Sequence, residues 1–341
     1  MAHLDPFSVY NDPILTNFSV GFDDQTLIAT QLAPITPVAL PSGKYRVFNR
    51  ANWLIFPDGR DPGTVANEVR GAVWSQDTYL THEHSLQAAV TDEEQQVYRN
   101  AIANAQSNLF INIDPKQDAT ELVTRAIMLR HEKLVADTAR NLSNYVSGQK
   151  VTLSGTSQWD NQTPLGSGGT PNLPVSDPVN DIMTGIRAVY RAVRRLPNVM
   201  IMPWNVASFI ENHPRIVQRF QNFTLQSPEA FRLLTGFNGR IVLAESMYNA
   251  ADNIDASPNI TTLWGNDVIL AVVDDSLAQN TQTFLKTFAM PYDNGQVRTV
   301  DTWREEPRKS DLVRVSMKYD LKIVSPSAGY FIQNAVAYAG N

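Results

Sequence analysis

A few residues are of types and spacings that could do chemistry. His82-Glu83-His84 places two imidazoles at i and i+2, on one face of an extended segment. A zinc site needs three or four converging ligands, and no further His or Asp cluster accompanies this pair. They read as surface histidines on a strand. His131-Glu132 opens like a helical H-E-x-x-H metalloprotease motif, but position 135 is Val, so the motif fails. Ser42-Gly43-Lys44 looks like the end of a phosphate-cradling loop. The glycine such a loop needs five residues before Gly43 is Val38, and the Ser or Thr it needs after Lys44 is Tyr45. Gly166-Ser167-Gly168-Gly169 has neither a strand before it nor a helix close behind, and reads as a flexible loop. Asp274-Asp275 follows an apolar run, where metal-dependent enzymes keep carboxylates, and reads here as a solvated strand end. No G-x-S-x-G elbow is present. The chain has no cysteine, which excludes disulfides, thiolate metal sites and cysteine nucleophiles. No catalytic, cofactor or metal residue is assigned, and the chain reads as a non-enzyme.

The bulk numbers agree with a large folded protein. Its 341 residues, 43 % of them hydrophobic, suffice for two domains or one elaborated domain with a real core. Formal net charge is -6, and the densest basic cluster is Arg187, Arg191, Arg194 and Arg195. A sequence-specific DNA binder shows a basic face, and no segment of this chain is strongly basic. The first residues, MAHLDPFSVYNDPILTNF, lack the basic and apolar regions of a signal peptide. No apolar run approaches 18 residues, so no helix is expected to span a membrane. Asn-x-Ser/Thr triplets such as Asn17-Phe18-Ser19 carry no meaning without a secretory route. The absence of cysteine fits assembly in a reducing cytoplasm.

The elements are unusual. Residues 1–40 are proline-rich, with few charges and no clean period, and read as mostly irregular; Ile28, Ala29, Leu32, Pro37 and Val38 are candidates to lie against another surface, of a neighbour or of the chain itself. Gly43–Asn49 reads as a strand and Val73–Val90 as its return, with Pro57, Asp58, Gly59, Arg60, Asp61, Pro62 and Gly63 as the turn-rich tip. Both arms are half polar on both faces, and a two-stranded hairpin is marginal alone in water. It needs a support, and a neighbouring copy is the simplest one. Thr91 with Glu94 forms a capping box that opens a helix to about Asn108. Asp114 is an N-cap, Pro115 fits the first helical position, and Gln117 stands at the reciprocal capping position. The stripe Val123, Ile127, Leu134, Thr138, Leu142 and Tyr145, with Gly148 as the stop, predicts a helix over 115–147, about 50 Å long at 1.5 Å per residue.

Residues 155–178 read as a loop dividing two regions. Beyond it lie a helix from Asp177-Pro178 through Arg195, a strand at Val199–Met202, a helix at Trp204–Glu211, a second helical stretch at Pro214–Phe223, and apolar strands at Ile241–Leu243 and Val268–Val273. This alternation implies an α/β domain. Phe284–Met290, Val297–Trp303 and Asp311–Val324 alternate like antiparallel strands returning to the sheet that holds the hairpin base.

Stretches distributed almost end to end resemble the major capsid proteins of tailed bacteriophages, which share the Hong-Kong-97-type capsid fold. LTNFSVG (15–21) and IATQLAPITPVALPSGKY (28–45) are similar to that family's N-terminal arm. RDPGTVANEV (60–69) and YLTHEHSLQAAVTDEE (79–94) are similar to the tip and return of its E-loop. RHEKLVA (130–136) resembles the spine helix, and TLSGTSQWD (152–160) with SDPVNDI (176–182) the passage out of it. PNVMIMPWNVASFIENHPRIVQRF (197–220) and LWGNDVILAVV (263–273) resemble the A-domain core.

The resemblance implies an α+β fold divided into an N-terminal arm (1–41), an E-loop hairpin with its flanking strands (42–90), a P-domain containing the spine helix (91–178), an A-domain (179–280), and return strands with a C-terminal segment (281–341). It implies a virion coat subunit that forms hexamers and pentamers of an icosahedral shell around double-stranded DNA, without sequence-specific binding. The E-loop would lie over the adjacent subunit's P-domain, and the arm would clasp another subunit. Pro57 to Gly63 and Trp74 are the expected intersubunit contacts, Trp74 because tryptophan is enriched at interface hot spots. The arm begins at once from Met1, so a separate scaffolding protein is expected rather than a fused one, together with a portal and a decoration protein. Lys44, the hairpin's only lysine, stands at its base, which gives no basis for covalent crosslinking. The alternatives are an encapsulin-like compartment, which shares the fold, and an unrelated α/β enzyme.

Overall fold

The computed structural model describes residues 10–22, 24, 26–48, 58–63, 65, 74–103, 114–161, 174–220, 235–251, 259–276, 281–293 and 295–337. The chain begins with β1 (Tyr10–Asn11), α1 (Pro13–Gly21), α2 (Ala29–Leu32) and β2 (Ile35–Pro37). β3 (Ser42–Phe48), β4 (Trp74–Leu80), β5 (His82–Thr91), α3 (Asp92–Ala103) and α4 (Pro115–Ala139) follow. Then come β6 (Lys150–Thr152), α5 (Pro178–Val193), β7 (Val199–Pro203), α6 (Trp204–Glu211), α7 (Pro214–Phe220), β8 (Arg240–Ala244), β9 (Met247–Asn249), β10 (Ile260–Thr262) and β11 (Val268–Ala271). The chain closes with β12 (Leu285–Met290), β13 (Arg298–Glu305), β14 (Ser310–Ile323) and β15 (Gly329–Gln333).

Two sheets organise these elements. In the first, the 14-residue β14 is the axis. β12 and β13 run one after the other along one of its edges, since Lys318 opposes Met290 and Met317 opposes Arg298. β5 lines the opposite edge, from Thr91 against Ser310 to His82 against Tyr319. β1 and β2 add to β13 and β12. Val313, Val315, Met317 and Tyr319 recur with period two, and all are buried under the apolar face of α4 with Ala119, Val123 and Ile127. The second sheet has the order β6-β15-β11-β7-β8. Every residue of β7 and β11 is buried, as expected of strands covered on both faces.

The helix starts follow local chemistry. Asp114 Oδ1 accepts the Lys116 amide at 2.9 Å with Pro115 at the first helical position, and the Thr91–Glu94 capping box forms through both of its bonds. The end of α4 differs from expectation. The helix stops at Ala139 rather than near 147, giving 25 residues, or about 37 Å. Side chains just downstream take its last carbonyls: Asn144 Nδ2 donates to Thr138 O at 2.7 Å and the Tyr145 hydroxyl to Ala139 O at 2.6 Å. Asn141 meanwhile caps the Ser143 amide and starts a separate 3-10 turn.

Three further differences have simple causes. Among the described residues of the leader, regular elements predominate: Asp12 Oδ1 accepts the amides of Ile14 and Leu15 and, with Pro13, starts α1. Ile28, Ala29, Leu32 and Ala33 are buried in the chain's own core. The return strand expected over 73–90 is broken at Thr81, whose amide donates to Pro41 O, so β4 pairs with β3 while β5 joins the first sheet. The second sheet is mixed. β7 and β8 are parallel across α6 and α7, but β11 is antiparallel to β7 and to β15, the C-terminal strand that the sequence did not reveal.

Candidate assembly site

The base of the β3–β4 hairpin is built on aromatic packing. Tyr79 stacks on Phe288 with ring centroids 4.8 Å apart, and Tyr45 meets the same ring at 5.2 Å. Val38 and Val324 complete this small core. Gly43 lies under Tyr79: a Cβ there would stand 2.5 Å from the phenol oxygen, so only glycine lets the ring reach Phe288. The Tyr45 hydroxyl donates to Asp77 at 2.9 Å. Burial, reinforced by that carboxylate, pushes the Tyr45 phenol well above its usual range. The Thr78 amide and the Tyr45 hydroxyl hold the Asp77 carboxyl below the usual range. The Leu80 amide donates to Asp320 at 2.9 Å and fastens the base to β14.

The outer hairpin is different in kind. Asp58, Gly59, Arg60, Asp61, Pro62 and Gly63 are all exposed, Gly63 turns at φ +86, and Val65 is 92 % exposed. Pro57 lies outside the described residues. The backbone of Trp74 opens β4 opposite Phe48, and its side chain lies outside what the structure describes. Residues 58–63 thus lie exposed in the connection between β3 and β4, whose paired bases are held to the first sheet, and Trp74 ends that connection.

Where the two cores meet, α4 carries two buried polar side chains. Its first half packs under the first sheet and its last turns, through Val135, Ala136 and Ala139, enter the core of the second. Between them, the Glu132 carboxylate accepts the Trp264 indole N–H at 2.7 Å, the Ala29 amide at 2.5 Å and the Ser246 hydroxyl at 3.4 Å. Burial pushes this carboxyl above its usual range, and these bonds offset part of that rise. Adjacent His131 is buried, lies edge-on to Tyr319 and is 3.2 Å from the Thr287 hydroxyl. Burial, with a smaller contribution from His84, lowers its pKa to about 4. A cleft beside them, lined by Val20, Leu27, Met128 and Arg298, has its polar groups committed within the chain: the Arg298 guanidinium donates to Val20 O and meets Met128 Sδ.

The remaining chemistry-bearing residues are engaged structurally. His84 stacks on the Tyr319 ring at 4.2 Å, while His82 is exposed. Asp274 faces Arg195 at 3.6 Å. Gly166 to Gly169 lie outside the described residues. One arrangement escaped sequence reasoning because 37 residues separate its members: Ser176 Oγ lies 3.0 Å from His213 Nε2, with both side chains buried. The Arg215 amide donates to His213 Nδ1 at 3.3 Å and Ser176 Oγ donates to Asn161 O at 2.8 Å. That assigns the imidazole proton to Nε2, which donates to Ser176, so the histidine has no lone pair to take a serine proton. Among the described residues no group of three or more His, Cys, Asp or Glu could hold a metal ion. Glu132 did leave a sequence signal, a carboxylate on the helix face it shares with Val135, Ala136 and Ala139, apart from the stripe through Val123 and Ile127, which implies buried donors around it.

No protein-family model matches the chain. The major capsid protein of Burkholderia phage BcepMu is 26% identical over 324 residues, covering 94% of this chain and 95% of that protein. The major capsid protein of Pseudomonas phage JBD67 is 27% identical over 343 residues, covering 97% and 98%. Among solved structures, a phage-related protein from Bordetella bronchiseptica RB50 superposes with a TM-score of 0.73 at 22% identity, covering 97% of this chain and 100% of that one. A subunit of the bacteriophage PhiM1 mature capsid superposes with a TM-score of 0.51 at 10% identity, covering 97% and 91%. With its held hairpin, long helix and two sheets, this chain has the Hong-Kong-97-type capsid fold and is similar along nearly its whole length to the major capsid proteins of tailed phages.

Proposed function

We infer that this chain is the coat subunit of a tailed-phage head, self-assembling as hexamers and pentamers into an icosahedral shell around double-stranded DNA. The observation that carries this reading is the hairpin. Its base is fixed by Tyr79, Phe288 and Asp320, while its tip from Asp58 to Gly63 is exposed. A marginal two-stranded element built in this way gains stability by lying on a neighbouring copy. The tip and Trp74 are the contacts we assign to that neighbour, and Pro57 belongs with them by sequence. The arm, hairpin, P-domain and A-domain divide the chain as 1–41, 42–90, 91–178 and 179–280, with 281–341 returning through both sheets.

The role is structural rather than enzymatic. Overlap between copies buries apolar surface at about 25 cal/mol per Å², and ordering of the hairpin on docking offsets part of that gain. A separate scaffolding protein, a portal and a decoration protein are the further partners this reading names, with assembly in the host cytoplasm. The test is to express the full chain, alone and with its scaffold, and to image the largest size-exclusion fraction by negative-stain electron microscopy. Closed shells, tubes or capsomer rings are expected. A monomer under both conditions overturns the reading, and shells that hold enzyme cargo instead of DNA support the compartment alternative.

A further inference from the structure

α5 presents a basic face that the coat reading does not use. Its buried side is Val179, Ile182, Ile186, Val189 and Val193. Its outward side carries Arg187, Arg191 and Arg194 at i, i+4 and i+7, with Arg195 beside them, all exposed. From Ile182 to Ile210 the chain contains no carboxylate, although the whole chain is acidic at -6. Arg195 meets Asp274 at 3.6 Å, and Arg194 ends the helix in the left-handed region at φ 56. Arg187 and Arg191 have no carboxylate partner among the described residues. This contrasts with Arg125, Arg140, Arg215, Arg304 and Arg314, each of which is ion-paired within the chain. Cations at a helix C-terminus are favoured by the macrodipole, but that accounts for the last turn and not for Arg187, two turns earlier.

We propose that the outward face of α5, through Arg187, Arg191 and Arg194, binds the phosphate backbone of duplex DNA without regard to sequence. The proposal rests on the coat reading for the supply of DNA. Three guanidiniums spread over about 10 Å of helix face a polyanion carrying a charge about every 1.7 Å. Guanidinium forks match phosphate oxygens in pairs. The acidic remainder of the surface repels DNA, which confines contact to this patch. An acidic protein segment is the competing occupant. Duplex DNA is favoured because, among the described residues of α5, the outward face offers charge and donors with one half-exposed aromatic, Tyr190.

The test titrates the full-length chain into a fluorescein-labelled duplex of mixed sequence and reads anisotropy at 50 and 200 mM salt. The parent should bind, more weakly at the higher salt and equally for a scrambled duplex. R187Q/R191Q should bind at least ten-fold more weakly at 50 mM, with the salt slope reduced by about 2, while R187K/R191K keeps binding. R99Q/R308Q, matched in charge but on other surfaces, should bind like the parent. A parent that does not bind, a double variant that binds like the parent, or equal losses in R99Q/R308Q each overturn the proposal. So does a double variant that loses only binding to poly-glutamate, which identifies an acidic protein as the occupant. Imaging the same preparations separates the two claims: closed shells with unchanged DNA affinity leave the coat reading standing while this one falls.

Discussion

The indole of Trp264 donates to Glu132 at 2.7 Å, joining the loop ahead of β11 to the middle of α4. The same carboxylate holds the Ala29 amide from the leader and the Ser246 hydroxyl after β8. One buried side chain thus ties together the leader, the long helix and the second sheet's domain. Glu132→Ala strands the indole and amide donors and enlarges the site. Each unsatisfied buried donor costs about 1–3 kcal/mol, so a loss of about 3–5 kcal/mol is expected in urea unfolding. A loss under 1 kcal/mol would show that water replaces the carboxylate without penalty.

His131 gives the acid limb of stability its shape. Its folded pKa is depressed by burial to about 4 from 6.5. Its contribution is complete above the unfolded value and is lost as pH falls from about 6.5 towards 4, because the unfolded chain binds the proton first. The span is worth on the order of 3 kcal/mol. His131→Phe should flatten the decline of unfolding free energy across that window, measured in urea at several pH values. An unchanged slope would assign the decline to other groups.

Gly43 decides whether the hairpin base can form. Gly43→Ala drives a methyl group into Tyr79 and displaces it from Phe288. A cost of about 1–3 kcal/mol, confined to the hairpin, is expected. Faster amide hydrogen exchange in β3 and β4, with β14 unaffected, is the signature. Uniformly faster exchange would mean that the base is part of the global core.

Trp74→Ala tests the assigned neighbour contact. Assembly into shells should fall sharply while helix content in far-UV circular dichroism stays that of the parent. Normal shells from this variant would remove Trp74 from the interface.

Ser176 beside His213 invites a nucleophile reading that its hydrogen bonds oppose. A fluorophosphonate probe should leave Ser176 unmodified in the folded chain at pH 8. Stoichiometric labelling at Ser176 would reverse the proton assignment and reopen an enzymatic role.

Much of the fold was legible because it rests on local chemistry. Asp114-Pro115 and the Thr91–Glu94 box start helices through bonds spanning two to three residues, and β14 shows its buried face by simple alternation. The resemblance to tailed-phage capsid proteins was also legible, since order along the chain survives low identity. Sequence alone misplaced the end of α4, because the Thr138 and Ala139 carbonyls are taken by Asn144 and Tyr145 in a turn that a helical apolar stripe passes straight through. It could not place β15 either, whose partners Val268–Ala271 lie some sixty residues away. Nor could it find the donors around Glu132, which arrive from positions 29, 246 and 264. Caps and periodicity are bonds among neighbours, so the sequence by itself determines them. Which buried acid meets which donor depends on closing loops of a hundred residues or more, and only the packed tertiary structure sets that.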